Sequence, residues 1–162
     1  MTPAALIHKC RSFLKRPRFE RVWFAPVWLL LGISRALVLF IPFRHLAGHL
    51  GQCCGATAYL PLINLQQQRR ARQIAAVVSL AARYTPWISN CFNQAITARW
   101  LLGLYGIPSS LFLGVKRDPS SGELQAHAWI ASGKVRVTGG EGFDQFSVVA
   151  NFINPPLEVS PP

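Results

Sequence analysis

Carboxylates are nearly missing from most of this chain. After Glu20 the next acidic residue is Asp118. Residues 1–117 carry 15 Lys and Arg against one acid, a balance of +14, and residues 118–162 carry two against five, a balance of −3, giving the overall +11. So lopsided a field attracts a polyanion, an anionic membrane surface or an acidic peptide. It does not by itself make a nucleic-acid reader. No zinc-finger spacing and no RNA-binding aromatic motif accompanies the charge, so no nucleic-acid partner is expected.

Cysteine is scarce: Cys10, Cys53, Cys54 and Cys91 are the four. There is no C-x-x-C, the vicinal Cys53-Cys54 pair lacks ordinary disulfide spacing, and His8 with Cys10 lacks partners at metal-ligand spacing. A disulfide scaffold and a metal centre are both disfavoured, and reduced thiols in a cytoplasmic protein are the simpler reading. No nucleotide-binding loop occurs, and no cofactor is expected. Internal repeats and low-complexity tracts are also missing.

An unbroken membrane-spanning run is lacking too. Val22–Phe43 is the most apolar stretch, but Pro26 interrupts it early and Arg35 sits within it. The stretch from Val22 to Ile33 falls short of the ~20 residues that span a bilayer. An Arg at the centre of a span costs about 2.5–3.5 kcal/mol on insertion scales. No small-residue cleavage site follows cleanly, which argues against a signal peptide. A buried helix is the first reading. A helix lying on a membrane, with Arg21, Arg35 and Arg44 reaching lipid phosphates, is the second.

What is present reads as helices first and strands second. Residues 4–15 suggest a short basic helix closed by Pro17. A second helix is expected from about Pro26 to Phe40, a short one over Phe43–Leu50, then a loop over Gly55–Asn64. Leu65–Tyr84 is strongly helical, with Ile74, Val77, Val78, Leu80 and Ala81 on one side, and Pro86 breaks it. Ser89 or Asn90 caps a further helix that starts at Cys91 and turns Ala95, Ala98, Leu102 and Tyr105 inward. Gly106 and Pro108 stop it. The period then changes to two: Ser110–Val115, Ala126–Ala131, Lys134–Thr138 and Phe146–Phe152 read as strands, with a hairpin turn at Ser132-Gly133. This is an α+β layout. It divides into a helical region over 1–80, a core over 81–154 and a Pro-rich tail over 155–162.

Cys91 stands where a helix N-terminus favours a thiolate and where exposed N–H groups can receive an oxyanion. Of the four histidines, His127 alone lies in the predicted sheet and is the candidate base. Strand alternation puts Trp129 on the same face as His127, which predicts that both face the Cys91 helix and that Trp129 shields the pair. A third group usually accepts the base's other ring N–H. Downstream of His127 the acids are Glu141, Asp144 and Glu158. Glu158 lies in the tail, which leaves Asp144, Glu141 or the amide of Asn151. Asn90 and Gln94 flank the cysteine as candidate site-lining residues. Equally, Cys91 can be a small buried apolar residue, His127 a hydrogen-bonded core residue, and the loop acids solvated.

The runs Asn90-Cys91-Phe92-Asn93-Gln94-Ala95, Leu101-Leu102-Gly103-Leu104-Tyr105-Gly106-Ile107, Leu113-Gly114-Val115 and Ala126-His127-Ala128-Trp129-Ile130 resemble the transglutaminase-like B proteins of lasso-peptide biosynthesis. The segment Pro42-Phe43-Arg44-His45-Leu46 is similar to the stretch preceding their peptidase core. The resemblance implies a papain/transglutaminase-like fold, a Cys-His-Asp triad, and removal of a leader from a ribosomally made precursor peptide. Cys91 and His127 carry over directly. The acid does not: about a dozen positions after the histidine this chain has Gly139, so the third role stays open to Glu141, Asp144, Asn151 or nothing. The helical reading of residues 1–80 matches the split form of the family. That form implies a separate leader-recognition protein and the lasso cyclase as partners. Two other classes remain beside the peptidase: a catalytically degenerate protein that binds peptide or sits on a membrane, and an acyltransferase whose thioester meets an amine instead of water.

Overall fold

The computed structural model describes residues 13–140 and 142–154, with Phe143 described by its backbone alone. The helix expected over residues 4–15 and the tail from 155 onward lie outside them, apart from helical residues 13 and 14. Four helices come first: α1 (Arg18–Phe40), α2 (Phe43–Ala47), α3 (Leu65–Ala82) and α4 (Cys91–Leu104). Between α2 and α3 a short strand β1 (Gln52–Cys53) intervenes. Then follow β2 (Ser109–Arg117), β3 (Leu124–Ser132), β4 (Val135–Thr138), a 3-10 turn over Phe143–Gln145, and β5 (Ser147–Asn154). The strands form one antiparallel sheet in the order β1-β5-β2-β3-β4. The α+β expectation is met.

Helix α1 begins eight residues before the sequence reading put it. Pro17 precedes it, and Pro26 sits inside it without ending it. Proline lacks an N–H and its ring crowds the preceding turn; here Pro26 lies on the exposed side, where water can take the freed carbonyl. Helix α3 is closed at its start by a capping box. The Asn64 side chain accepts from the Gln67 N–H at 2.9 Å, and the Gln67 side chain accepts from the Asn64 N–H at 3.0 Å. This reciprocal pair satisfies two otherwise unpartnered donors.

One core joins the helices to one face of the sheet. Val27 and Leu31 of α1, Ile74, Val77, Val78 and Ala81 of α3, and Ala95, Ala98, Leu101 and Leu102 of α4 meet Leu111, Ala128, Ile130, Val137 and Phe152. Each fully buried Leu, Ile or Val contributes about 1.5–3 kcal/mol. The expected inward faces of α3 and α4 hold, and Tyr105 closes the α4 face against the rings of Phe19 and Trp23. The other face of the sheet carries a separate small cluster of Phe112, Trp129 and Ala131 with Phe146 and Val148 packed on it. Segment 54–64 crosses this face, tied down where Asn151 Nδ2 donates to the carbonyls of Thr57 and Tyr59 at 3.0 and 3.3 Å.

Helix α1 is buried on one side only. Val27, Leu31 and Ser34 are fully buried, whereas Leu29, Ile33 and Phe40 are 59%, 52% and 83% exposed. The expectation of a buried helix therefore holds only for the stripe of Glu20, Val27, Leu31 and Ser34. By length and composition α1 is, among the described residues, the one helix long and apolar enough to cross a membrane.

Candidate active site

Cys91 is the first residue of α4. Asn90 caps that helix, its side-chain oxygen accepting from the Asn93 N–H at 3.0 Å. Gln94 Nε2 donates to the Ser89 carbonyl at 2.8 Å, so the turn leading into Cys91 is held from both sides. Asn90 and Gln94 thus shape the backbone around the thiol. The first turn is also pinned from below. The buried Ser34 hydroxyl of α1 lies 3.2 Å from the Asn93 carbonyl and accepts from Thr97 at 3.3 Å. Cys91 itself is half-buried against the main core and is a free thiol, as are Cys53 and Cys54.

His127 lies on β3, opposite Gly114 of β2. Helix α4 packs on the sheet through Ala95, Ala98, Leu101 and Leu102, on the face of Leu111, Ala128 and Ile130. The strand β4 pairs only with Ile130–Ser132, which leaves His127 beyond the end of the β3–β4 ladder.

The ring of His127 is fixed by a backbone group. Its Nε2 stands 2.7 Å from the carbonyl oxygen of Gly139. A carbonyl can only accept, so Nε2 carries the hydrogen and, in the neutral ring, Nδ1 carries the lone pair. Trp129 stacks at 6.0 Å between centroids and Phe146 sits at 5.0 Å. Gly139 has φ +103 and is pressed on the strand: a Cβ there would meet Trp129 Cβ at 2.2 Å. Among the described residues no carboxylate is hydrogen-bonded to the His127 ring.

The predicted facing of this pair is corrected by the packing. His127 and Trp129 do share a face, but it is the face of Phe112 and Phe146, while Ala128 and Ile130 meet the helices. Trp129 therefore does not shield Cys91 from the helix side. No hydrogen bond joins Cys91 to His127 among the described residues. Alternation gives two faces without saying which one the helices cover.

The remaining candidates are dispersed. Asp144 lies in the 3-10 turn and lines a groove of about 410 Å³ with Lys134, Arg136 and an apolar floor of Phe112, Trp129 and Phe146. Asn151 is fully buried and holds segment 54–64 through its amide donors. Glu141 lies outside the described residues. Sequence reasoning marked Gly139 as a missing acid and so passed over its carbonyl. It also passed over Phe146, whose ring contact with His127 has no local signature.

A helix that opens on a capped cysteine lies against an antiparallel sheet that carries a histidine, in an α+β arrangement. The profile of the transglutaminase-like superfamily matches residues 37–151, more than half of the chain. The chain belongs to that superfamily, which includes cysteine peptidases and whose fold commonly serves cysteine hydrolases and transferases. Neither the search of curated proteins nor that of solved structures gave a match.

Proposed function

We propose that this protein is a cysteine peptidase that removes the leader from a ribosomally made precursor peptide, as in lasso-peptide maturation. The observation that carries the reading is the His127–Gly139 hydrogen bond at 2.7 Å. It gives a ring with Nε2 protonated and Nδ1 ready to accept, the tautomer that a thiol base needs. The acceptor is also twelve positions after the histidine, about where the resemblance would put an acid.

In the proposed reaction the Cys91 thiol gives its proton to His127 Nδ1 and the thiolate attacks the scissile carbonyl carbon. The N–H groups of the first turn of α4 face the developing oxyanion. The C–N bond breaks, the imidazolium returns the proton to the leaving amine, and a thioester remains on Cys91. Water, deprotonated by the same ring, releases the acid product and regenerates the thiol. The groove beside Trp129 and Phe146 suits an apolar substrate side chain next to the base. Lys134 and Arg136 in its lining suit an acidic one. Because the His127 ring lies on the sheet face away from the helices, this reaction requires the side chain to swing past the end of the β3–β4 ladder toward Cys91 when substrate binds. The separate recognition protein and the cyclase are the partners that this reading requires.

A second reading draws on one observation. The His127 ring lies on the sheet face opposite the helices, with no hydrogen bond to Cys91. That favours a peptide-holding relative that performs no chemistry. Incubation with a precursor peptide and its recognition protein, followed by mass spectrometry, separates the two. The first reading requires leader release by the natural sequence and none by Cys91→Ala or His127→Ala with circular dichroism unchanged. Full cleavage by Cys91→Ala would sink it. Product mass also distinguishes a free acid from an amide formed by acyl transfer.

A further inference from the structure

From Val22 to Phe40 the exposed side of α1 is apolar. Val22, Ala25, Pro26, Leu29, Ile33, Ala36 and Phe40 are all exposed. At 3.6 residues per turn they fall within an arc of about 100°. The opposite side is committed to the fold: Val27, Leu31 and Ser34 are fully buried. Soluble helices normally reverse this arrangement, with a polar side outward. A contiguous exposed apolar surface of this kind marks an interaction site.

Charge selects the occupant. Lys15 and Arg18 are exposed at one end of the helix, and Arg44 and His45 are exposed just past the other. Arg21 and Arg35 lie along one flank. The single acid of the region, Glu20, is buried and paired with Arg16 at 2.9 Å. No further acid occurs before Asp118. An apolar stripe framed by cations and without exposed carboxylates matches the headgroup boundary of an anionic bilayer. Spanning is a poor alternative, because drawing α1 through a membrane would strip Val27, Leu31 and Ser34 out of the core.

We infer that α1 is a peripheral membrane helix that lies in the plane of an anionic lipid surface and seats the protein on it. The inference is independent of the peptidase reading. Its geometry nonetheless places the helix end near the site: Phe43, just past α1, meets the ring of Phe92, the neighbour of Cys91, at 6.0 Å.

Sedimentation of the full chain with phosphatidylcholine vesicles, with and without phosphatidylglycerol, tests this. Binding is expected only with the anionic lipid and is expected to weaken as salt rises. The double substitution Leu29→Glu/Ile33→Glu is expected to reduce it at least about tenfold. Lys15→Glu/Arg18→Glu, at exposed positions outside the core, should also reduce it and serves if the first variant fails to fold. Three outcomes would overturn the inference. One is no sedimentation with anionic vesicles at low salt. Another is binding unchanged in both variants. The third is a lipid-free dimer, seen by analytical ultracentrifugation, that Leu29→Glu/Ile33→Glu dissociates, which would assign the face to a second copy. None of these outcomes bears on leader cleavage.

Discussion

His127 Nε2 rests 2.7 Å from the carbonyl oxygen of Gly139, twelve positions along the chain. A backbone carbonyl holds the ring and selects its tautomer as a carboxylate would, but it brings no negative charge to stabilise an imidazolium. Two results follow. Long-range proton–nitrogen spectra of the free protein should show the neutral ring protonated on Nε2. Asp144→Asn and Glu141→Gln should each leave the cleavage rate within about twofold, since neither acid is needed to orient the ring. A large loss in either would move the third role to that acid.

Placing a carboxylate at position 139, where the resemblance would put one, should fail. Gly139 has φ +103, and any Cβ there meets Trp129 Cβ at 2.2 Å. Gly139→Asp and Gly139→Ala are both expected to push the segment off β3 and lengthen the bond to His127. We expect a lower melting temperature and a loss in kcat/KM of about tenfold or more. A Gly139→Asp protein that cleaves faster than the natural sequence would show that the position tolerates the acid and lacks only its charge.

Asn90 controls the first turn of α4. Asn90→Ala removes the acceptor for the Asn93 N–H and should cost about 0.5–2 kcal/mol in urea denaturation. Asn90→Asp keeps an acceptor at that place and should recover most of this. The same order is expected for the rate of Cys91 alkylation, because fraying of the turn moves the thiol away from the helix N–H groups. Equal alkylation rates in all three proteins would mean that the cap serves stability alone.

Arg99 ties three parts of the chain together from the middle of α4. Its guanidinium donates to the carbonyls of Ser109 and Phe152, both at 3.1 Å, and to that of Leu50. Burial pushes its pKa down from the ordinary guanidinium range to about 10. Above that value, until the unfolded chain also loses its proton, the unfolded chain holds more protons than the folded one, so the contribution of Arg99 to stability rises with pH there. Below about pH 10 the group is charged in both states and its contribution is flat. Arg99→Met should therefore lose on the order of 3 kcal/mol at neutral pH, from buried acceptors left unpaired. The gap to the natural sequence should not change as the pH falls toward the acid range.

How much of this was legible depends on which interactions are local. The start of α4 could be read because Asn90 caps within three residues. The end of α3 could be read because Pro86 limits it. The β2–β3 and β3–β4 hairpins followed from period-two runs and from Gly133, whose φ of +52 suits the turn. Strand β1 could not be read, since its two residues are defined only by pairing with Phe152 and Ile153. The early start of α1 was hidden because a proline reads as a boundary, although Pro26 is tolerated on an open face. At the site, Cys91 and His127 carry side-chain chemistry and were visible. The group that orients His127 is a backbone carbonyl, for which residue identity gives no signal beyond a glycine.

The face that His127 shares with Trp129 makes one last demand on the sequence. Gly114 pairs with His127 across the β2–β3 ladder, and a Cβ there would meet the Trp129 ring at 2.8 Å and Phe146 Cβ at 2.9 Å. Those are the two rings that flank the imidazole. Gly114→Ala should therefore displace them at a cost of about 1–3 kcal/mol, the usual range for overpacking. If the groove beside them receives the substrate, KM should rise more than kcat falls. If instead their role is to hold the base, kcat should carry the loss and the nitrogen shifts of His127 should move. Phe146→Leu, which trims one ring without adding bulk, should give a smaller change in the same direction. A Gly114→Ala protein with unchanged stability and unchanged His127 shifts would show that the rings find room elsewhere and that this face does not position the base.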